Sequence, residues 1–463
     1  MAYIASDSRY QATLFPATVE EYVSTDAPVR IIDAFVDSLD FVALGFERAR
    51  SANTGRPGYD PRDLLKLYVY GYLNEVRSSR RLERECHRNL EVLWLMRRLA
   101  PDHKTIADFR RDNGLAIVGA CRAFVLFCRD QGLFSARLIA IDGSKFRAAA
   151  STLRIMDRKR IIAEAEQLDA QAAKYLADLD NADLGEPGDE GNATMKALAE
   201  LEKRRAELGR MHAHLEQDGR NLVVDGEPDA RPMGFGRGGK PPSYNVQTAV
   251  DADTGFIIHH VVTDEVNDQR MLYPVAKATR DLLECSELMV VADTGYSSGN
   301  DAAACEADGI IACVPVRPVF NGRGDGTLYE RTEFLYDAEK DQYICPIGRP
   351  LARKGGISRN SYNYKSRDCS GCDLKSRCTQ SEVRWVTRHK HEDALERMRS
   401  RIVADPTLMR QRRCSVEHPF GTIKRMMGGR FLTRGIRGTQ AEMALSVLAY
   451  NMIRGMSLRM STG

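Results

Sequence analysis

The chain has 463 residues, of which 43% are hydrophobic, and its formal net charge is +3. This length and apolar content predict two or three domains with a large core and exclude a disordered or fibrous chain. The apolar runs fall short of the roughly 20 residues that cross a bilayer, and MAYIASDSRY lacks the features of a secretory signal, so we expect a cytoplasmic protein with no membrane partner. The 11 cysteines, an odd number, fit reduced thiols better than a disulfide framework.

Residues 17–111 predict a helical module. PVRIIDAFVDSLDFVAL at 28–44 has apolar residues at helical spacing, GRPGYDP at 55–61 interrupts the pattern, and a helix-like run follows at 62–99. The apolar positions of this run predict a core-facing side, and the opposite side is rich in arginine: Arg77, Arg80, Arg81, Arg84 and Arg88. Such a module fits DNA binding and fits an oligomerisation domain nearly as well.

The pattern changes to mixed helix and strand at residue 136. ARLIAIDGSKF predicts a short buried strand over 138–141 that ends at Asp142. Apolar residues at heptad spacing then predict an antiparallel helical hairpin with a loop at 182–192, and the hairpin is best explained as an insertion.

Strand character resumes after the hairpin insertion. Residues 244–250 and 256–263 predict a β-hairpin, a helix is predicted at 269–284, and a buried strand then ends at Asp293. A further helix at 298–307 and a strand at 310–316 complete the segment. This order predicts a mixed sheet with helices on its faces.

Three acids along the chain are candidates for a metal site. Asp142 and Asp293 each end a predicted strand, and two such acids in one sheet can converge on a divalent cation. Mg²⁺ prefers oxygen ligands, and two such ions about 4 Å apart suit phosphodiester chemistry. Glu417 is the candidate third ligand. Each acid on its own is more simply explained as a turn, cap or ion-pair residue.

The segment around Glu417 is strongly basic. Residues 401–437 hold nine Arg or Lys against two acids, which favours contact with a polyanion over a solvated face. Arg410, Arg413 and Lys424 lie 7 before, 4 before and 7 after Glu417, so an uninterrupted helix places all four on one face. Pro419 predicts a kink or a helix boundary.

A second basic segment contains four clustered cysteines: Cys345, Cys369, Cys372 and Cys378. The first pair of the CSGCDLKSRC stretch has the C-x2-C spacing of a zinc knuckle. Four thiolates around a structural Zn²⁺ would order a segment that lacks a core of its own. Four unligated thiols are the alternative.

The motifs together resemble those of bacterial insertion-sequence transposases of the DDE type. The resemblance rests on IDGSKFRA, SYNVQTAVD, VVADTGYSS, PDHKTIADFR, the 55–83 segment and the R-x3-E-x6-K pattern, and it extends from about 15 to 455. It implies an RNase H-like catalytic domain whose metal triad is Asp142, Asp293 and Glu417. Arg413 and Lys424 match the C-terminal signature, whereas Arg410 stands where related enzymes often have tyrosine.

The resemblance implies an α/β fold with two domains. An all-α domain at 1–135 would bind DNA or dimerise. An RNase H-like mixed sheet with helices on both faces would fill 136–463, interrupted by the helical hairpin at 150–240 and the Cys-rich insertion at 317–400.

The implied function is DNA transposition. The protein would bind the terminal inverted repeats of its element as a homodimer, cleave the strands with two Mg²⁺ or Mn²⁺ ions and join them to target DNA. Predicted DNA contacts come from seven cations: Arg80, Arg81, Arg84, Lys145, Arg410, Arg413 and Lys424. A metal-dependent nuclease without strand transfer and a DNA-binding protein without catalysis remain as alternatives.

Overall fold

The structure is a computed structural model that describes residues 18–50, 57–182, 189–235, 239–316 and 328–462. The start of the chain, the Gly55–Arg56 part of the predicted interruption and residues 183–188 of the predicted hairpin loop lie outside the described residues. The first described region is helical: α1 (Pro28–Asp37), α2 (Pro61–Leu73), α3 (Ser79–Arg88), α4 (Leu90–Leu95), α5 (His103–Asp112) and α6 (Gly114–Asp130).

The helix-like run at 62–99 is three helices rather than one. Between α2 and α3, Glu75 adopts a left-handed backbone conformation with φ of 60°, which ends the first helix. The chain turns back so closely that a Cβ on Gly71 would lie 2.5 Å from the carbonyl oxygen of Val76. Asn89 then starts α4, because its side chain accepts hydrogen bonds from the amides of Glu91 and Val92.

The predicted arginine-rich side is divided by these turns. Arg80, Arg81 and Arg84 are exposed on α3, as predicted. Arg77 is not part of that surface, because it lies in the turn before α3 and its side chain, only 14% exposed, reaches the buried Glu442.

The central region alternates strands and helices. Its elements are β1 (Ile139–Arg147), β2 (Ile155–Asp157), α7 (Arg158–Ala182), α8 (Asp189–Gln217), β3 (Leu222–Val224), β4 (Arg231–Pro232), β5 (Pro242–Asp251), β6 (Ile257–Thr263), α9 (Leu272–Leu283), β7 (Leu288–Val291), α10 (Gly299–Ala307) and β8 (Ile310–Cys313). The strands and helices predicted between 244 and 316 are present with small differences in their bounds.

One six-stranded mixed sheet organises this region. Its order is β4-β5-β1-β7-β8, with β6 paired to β5. β1 is antiparallel to β5 and parallel to β7, and β7 is parallel to β8. Alternate residues of β1 face opposite sides: Ile139 and Ile141 join the main core, whereas Ala140 packs with Val416. The predicted mixed α/β fold with helices on both faces is confirmed.

The two predicted insertions fold as separate appendages. α7 and α8 form the helical hairpin, whose base packs around a small cluster that contains Ile161, Leu208 and Leu215. The Cys-rich insertion is a five-stranded sheet in the order β13-β12-β11-β10-β9. Its strands are β9 (Leu335–Asp337), β10 (Gln342–Ile344), β11 (Pro350–Ser358), β12 (Ser361–Ser366) and β13 (Trp385–His389).

Three helices close the chain: α11 (Glu392–Ala404), α12 (Thr407–Met427) and α13 (Gly435–Thr462). α12 packs against β1, and α13 packs against α2, α6 and β6. One apolar cluster therefore runs from the N-terminal helices through α13 to the central sheet. Among the described helices, none combines the length and the apolar character that a membrane span needs.

Two buried histidines on β6 predict a loss of stability in acid. Burial lowers the pKa of His259 to about 4 and that of His260 to about 3, and the nearby Arg122 adds to both shifts. Because the unfolded chain binds these protons near pH 6.5 and the folded chain does not, folding stability falls as the pH drops from about 6.5 toward 4. We expect a loss of about 2 kcal/mol per histidine at pH 5.

Urea unfolding across this pH range measures the effect. In the His259→Gln/His260→Gln variant, the free energy of unfolding should fall less between pH 6.5 and 5 than it does in wild type. Each protein is compared with its own stability at pH 8. An unchanged slope in the double variant would contradict the assignment.

Candidate active site

Asp142 lies within β1 rather than at its end. The strand was predicted to stop at Asp142, but it continues to Arg147 because each of its residues pairs with β5, Asp142 opposite Thr248. The predicted strand end is therefore wrong. Burial raises the pKa of Asp142 to about 6, and the negative charges of Asp293 and Asp268 add to the shift, while the Arg412 guanidinium and the Gly143 amide oppose it.

Asp293 follows the end of β7, close to its predicted position. It caps a short helical turn, since its Oδ1 accepts a hydrogen bond of 2.7 Å from the Gly295 amide. Its Oδ2 is not used by this cap, and the side chain is 46% exposed. Because β7 is parallel to the adjacent β1, the acids on the two strands lie side by side.

Arg412 on α12 joins these two acids. Its Nη2 lies 2.7 Å from Asp142 Oδ1 and 3.6 Å from Asp293 Oδ2. The two carboxylate oxygens are therefore no farther apart than the sum of those distances. Sequence reasoning missed Arg412, because the Arg412–Arg413 doublet gives no sign of which arginine faces the sheet.

A fourth acid, Asp268, was also missed. Its Oδ1 accepts hydrogen bonds from Asn245 Nδ2 at 2.7 Å and from Gln247 Nε2 at 2.6 Å. A Cβ on Gly143 would lie 2.6 Å from the same oxygen, so a larger residue beside Asp142 would force the Asp268 and Gln247 side chains to move. The available signal was in β5, where SYNVQTAVD places polar residues at buried positions.

Helix α12 runs through Pro419 without a break. The predicted helix boundary there is wrong, although the proline ring leaves the Ser415 carbonyl without its usual amide donor. Burial of Val416 and Phe420 against the sheet and core holds the helix together on both sides of the proline. The one-face spacing of the basic residues around Glu417 therefore applies.

Lys424 shows which side of α12 faces the site. Its Nζ lies 5.5 Å from the ring centre of Phe146 on β1. Burial lowers the pKa of Lys424, and the negative charge of Asp142 opposes that shift. Glu417 lies seven residues earlier, about two turns along the same helical face as Lys424.

Glu417 is nevertheless not assembled with the two aspartates. Its side chain is exposed. Across the described ranges, no group of three or more His, Cys, Asp or Glu side chains has an arrangement that could hold a metal ion. The structure thus brings Asp142 and Asp293 together around the guanidinium of Arg412, and Glu417 on α12 is not part of this group.

The other predicted cations differ in their surroundings. Arg410 and Arg413 are exposed on α12 and form no salt bridge within the described part of the chain. Lys145 is on β1, three residues after Asp142. Its Nζ donates a hydrogen bond of 3.3 Å to the Gly234 carbonyl.

The four cysteines of the insertion lie in two neighbouring turns. Cys345 begins a turn in which the Arg349 amide donates to Cys345 Sγ at 3.3 Å. The Arg349 guanidinium then donates to the Asp368 carbonyl at 3.3 Å, beside Cys369. Burial raises the pKa of Cys378, the Arg384 guanidinium opposes the shift, and Cys369, Cys345 and Cys372 add to it.

Comparisons with known proteins give two family matches. A model described as a transposase domain (DUF772) matches residues 17–112, and a model described as a transposase DDE domain matches residues 210–452, more than half of the chain. The second span contains Asp293 and Glu417, while Asp142 lies between the two spans.

Whole-chain comparisons add little to these matches. No curated protein matches. A similar solved structure is the cryo-EM structure of a piggyBac transposase synaptic complex with hairpin DNA, at 9% identity over 95% of this chain and 74% of that chain. Its TM-score is 0.31, a similarity too low to extend the family match.

Proposed function

Because the chain belongs to the transposase DDE domain family, we propose that it cleaves DNA at the ends of an insertion sequence and joins those ends to target DNA. The proposal makes Asp142, Asp293 and Glu417 the acidic triad of a metal-dependent site. In this proposal the protein acts on double-stranded DNA in the bacterial cytoplasm, and two copies of the chain bind the paired element ends.

One observation carries the proposal. Two acids that are far apart in sequence, one within β1 and one just after the adjacent parallel β7, lie within 2.7 and 3.6 Å of the same Arg412 nitrogen. A guanidinium shared by two carboxylates marks a position where cationic charge is favourable and where all the nearby acceptors are hard oxygens. That donor set suits Mg²⁺ or Mn²⁺, which prefer carboxylate oxygens and retain several waters.

The acids hold the metal in this account. Asp142 and Asp293 would hold the ions together with Glu417, which α12 would have to bring to the two aspartates. A bound pair of divalent ions would activate a water or a 3′ hydroxyl and stabilise the leaving 3′ oxygen. The chain itself needs no nucleophilic side chain, since water and then the freed 3′ hydroxyl attack the phosphodiester.

Cations around the acids hold the DNA. Arg413 and Lys424 share the helical face of Glu417 and grip the phosphates next to the cut, with the exposed Arg410 one turn before Arg413. Lys145 contacts the DNA backbone beside β1. Exposed α3 arginines bind phosphates farther away: Arg80, Arg81 and Arg84. Phosphate contacts of this kind dominate affinity and weaken as salt rises.

A strand-transfer assay tests the function. The purified chain is incubated with Mn²⁺, a circular target and linear DNA carrying the sequences that flank its gene. We expect cuts at the element ends and joined product. Cuts without joined product from pre-cut ends would favour a nuclease, and DNA binding with no cuts would favour a protein that has lost catalysis.

We also propose that the four insertion cysteines bind a structural Zn²⁺. Support comes from the turn at Cys345, where a backbone amide already points at the sulfur, and from the packing of Cys345 and Cys378 against one aromatic cluster. The described thiols do not have coordinating geometry, so binding requires side-chain rotation. The ion would fix the 367–384 loop, which includes only one short helical turn.

Metal analysis tests the zinc site. We expect about one zinc per chain after purification without chelator, and a melting temperature several degrees lower after chelation. Cys372→Ser loses the zinc, whereas Cys414→Ser on α12 keeps it and serves as the control. Zinc-free wild-type protein after expression in zinc-supplemented medium would contradict the proposal.

A further inference from the structure

Arg412 occupies the position between the two acids that a metal ion would need. Its Nη2 contacts both carboxylates, and its side chain is only 12% exposed. The Arg412 Nε is buried and has no hydrogen-bond partner among the described residues. The guanidinium is therefore held by its charge interaction with the two acids rather than by a complete hydrogen-bond set.

This arrangement cannot persist when a divalent cation binds. An arginine side chain stays protonated at any relevant pH, so it cannot become neutral to accommodate a second cation. A cation on the same two carboxylate oxygens would meet its charge at close range, in a partly buried place where screening is weak. Metal binding thus requires Arg412 to move away from the acids.

A DNA phosphate is the natural new partner for the displaced guanidinium. Arg410 and Arg413, on either side of Arg412, are exposed and free of salt bridges within the described residues, so the surrounding helix surface attracts polyanions. Arginine binds phosphate in the two-pronged manner that it uses for carboxylate. The exchange therefore replaces one anionic partner with another.

We infer that Arg412 is an internal counter-ion that competes with the divalent metal for Asp142 and Asp293 and is transferred to a DNA phosphate when the metal binds. The inference rests on the proposed function and adds a positioning residue to it. It makes metal binding weak without DNA and stronger with DNA, because the phosphate removes the competitor. By linkage, the metal strengthens DNA binding by the same factor.

Mn²⁺ binding, followed by the electron paramagnetic resonance signal of the free ion, tests the inference. We expect Arg412→Gln to lower the Kd for Mn²⁺ by at least about tenfold without DNA, because a positive charge is removed from the site. Arg412→Lys keeps the charge and binds Mn²⁺ about as weakly as wild type. Arg425→Gln, which removes an exposed charge near the end of α12, also matches wild type. If Arg412 had a structural role alone, Arg412→Gln would bind Mn²⁺ as weakly as wild type or more weakly.

A second arm adds a short DNA duplex with the element-end sequence. DNA should lower the Kd of wild type for Mn²⁺, whereas the Kd of Arg412→Gln should stay almost the same. Equal effects of DNA on both proteins, or an unchanged Kd in Arg412→Gln without DNA, would overturn the inference. Asp142→Asn separates this failure from that of the proposed function: if it binds Mn²⁺ as well as wild type, the acids are not the metal site.

Discussion

Asp293→Asn is expected to lower the rate of DNA cleavage at least about a thousandfold, because it removes one of the three carboxylates of the proposed metal site. The substitution is well suited to isolating this effect. Asn retains an Oδ1 that can accept the hydrogen bond from the Gly295 amide, so the helical turn after β7 keeps its cap. The side chain is nearly half exposed, and the variant is expected to fold as wild type does.

The cleavage assay is paired with two other readouts. Gel-shift binding to the element ends without metal should be unchanged, and the melting temperature should stay close to that of wild type. Asp253→Asn is the matched control, because Asp253 is a surface acid whose one ion pair, to the exposed Arg137, is 3.5 Å long. Full activity of Asp293→Asn would show that the site has been misassigned.

Glu442→Ala is expected to be the most destabilising single change that we predict, with a loss of about 3–5 kcal/mol. Glu442 is completely buried in α13. It accepts hydrogen bonds from the amides of Leu432 and Thr433, both at 2.9 Å, and from the Thr433 hydroxyl at 2.8 Å. Arg77 completes its partners with a 2.9 Å ion pair.

The cost arises because Glu442 is fully buried and its carboxylate is shared by several donors. Alanine would leave the largely buried Arg77 charge without its carboxylate partner, and the amides of Leu432 and Thr433 without their acceptor. Arg77 also donates to the carbonyls of Arg430 and Met427, so the same pair ties the turn before α3 to the end of α12. The substitution therefore loosens the contact between the N-terminal helices and the catalytic region.

Urea unfolding measures the loss, with Glu75→Ala as the control. Glu75 also links the two regions, through a 2.9 Å ion pair with Arg425, but both side chains are largely exposed. Such a surface pair contributes less than about 1 kcal/mol. Similar losses in the two variants would contradict the importance assigned to burial of Glu442.

Local sequence patterns were sufficient for much of the fold. Asp293 was predictable because a short apolar strand precedes it and a cap-forming turn follows. The bounds of β5 and β6 followed from two apolar runs around a turn. Asp142 was misplaced relative to its strand, because only pairing with β5 shows that β1 continues through Gly143.

What the sequence could not predict depends on contacts between distant residues. Pro419 suggested a helix boundary, yet packing of its neighbours against the core outweighs one missing hydrogen bond. An acid inside the apolar AEMALSV stretch had no local explanation, since its partner Arg77 lies 365 residues away. Arg412 is similar, because its meeting with Asp142 across 270 residues exists only in the folded chain.

The central claim is that Asp142, Asp293 and Glu417 hold divalent metal together. Crystals of the chain with a cleaved element end and Mn²⁺ test it directly, since the anomalous signal locates manganese without reference to the protein atoms. We predict manganese about 2 Å from an oxygen of each of the three acids, with Arg412 turned away. Manganese bound elsewhere, or bound with Glu417 pointing away from it, would contradict the account.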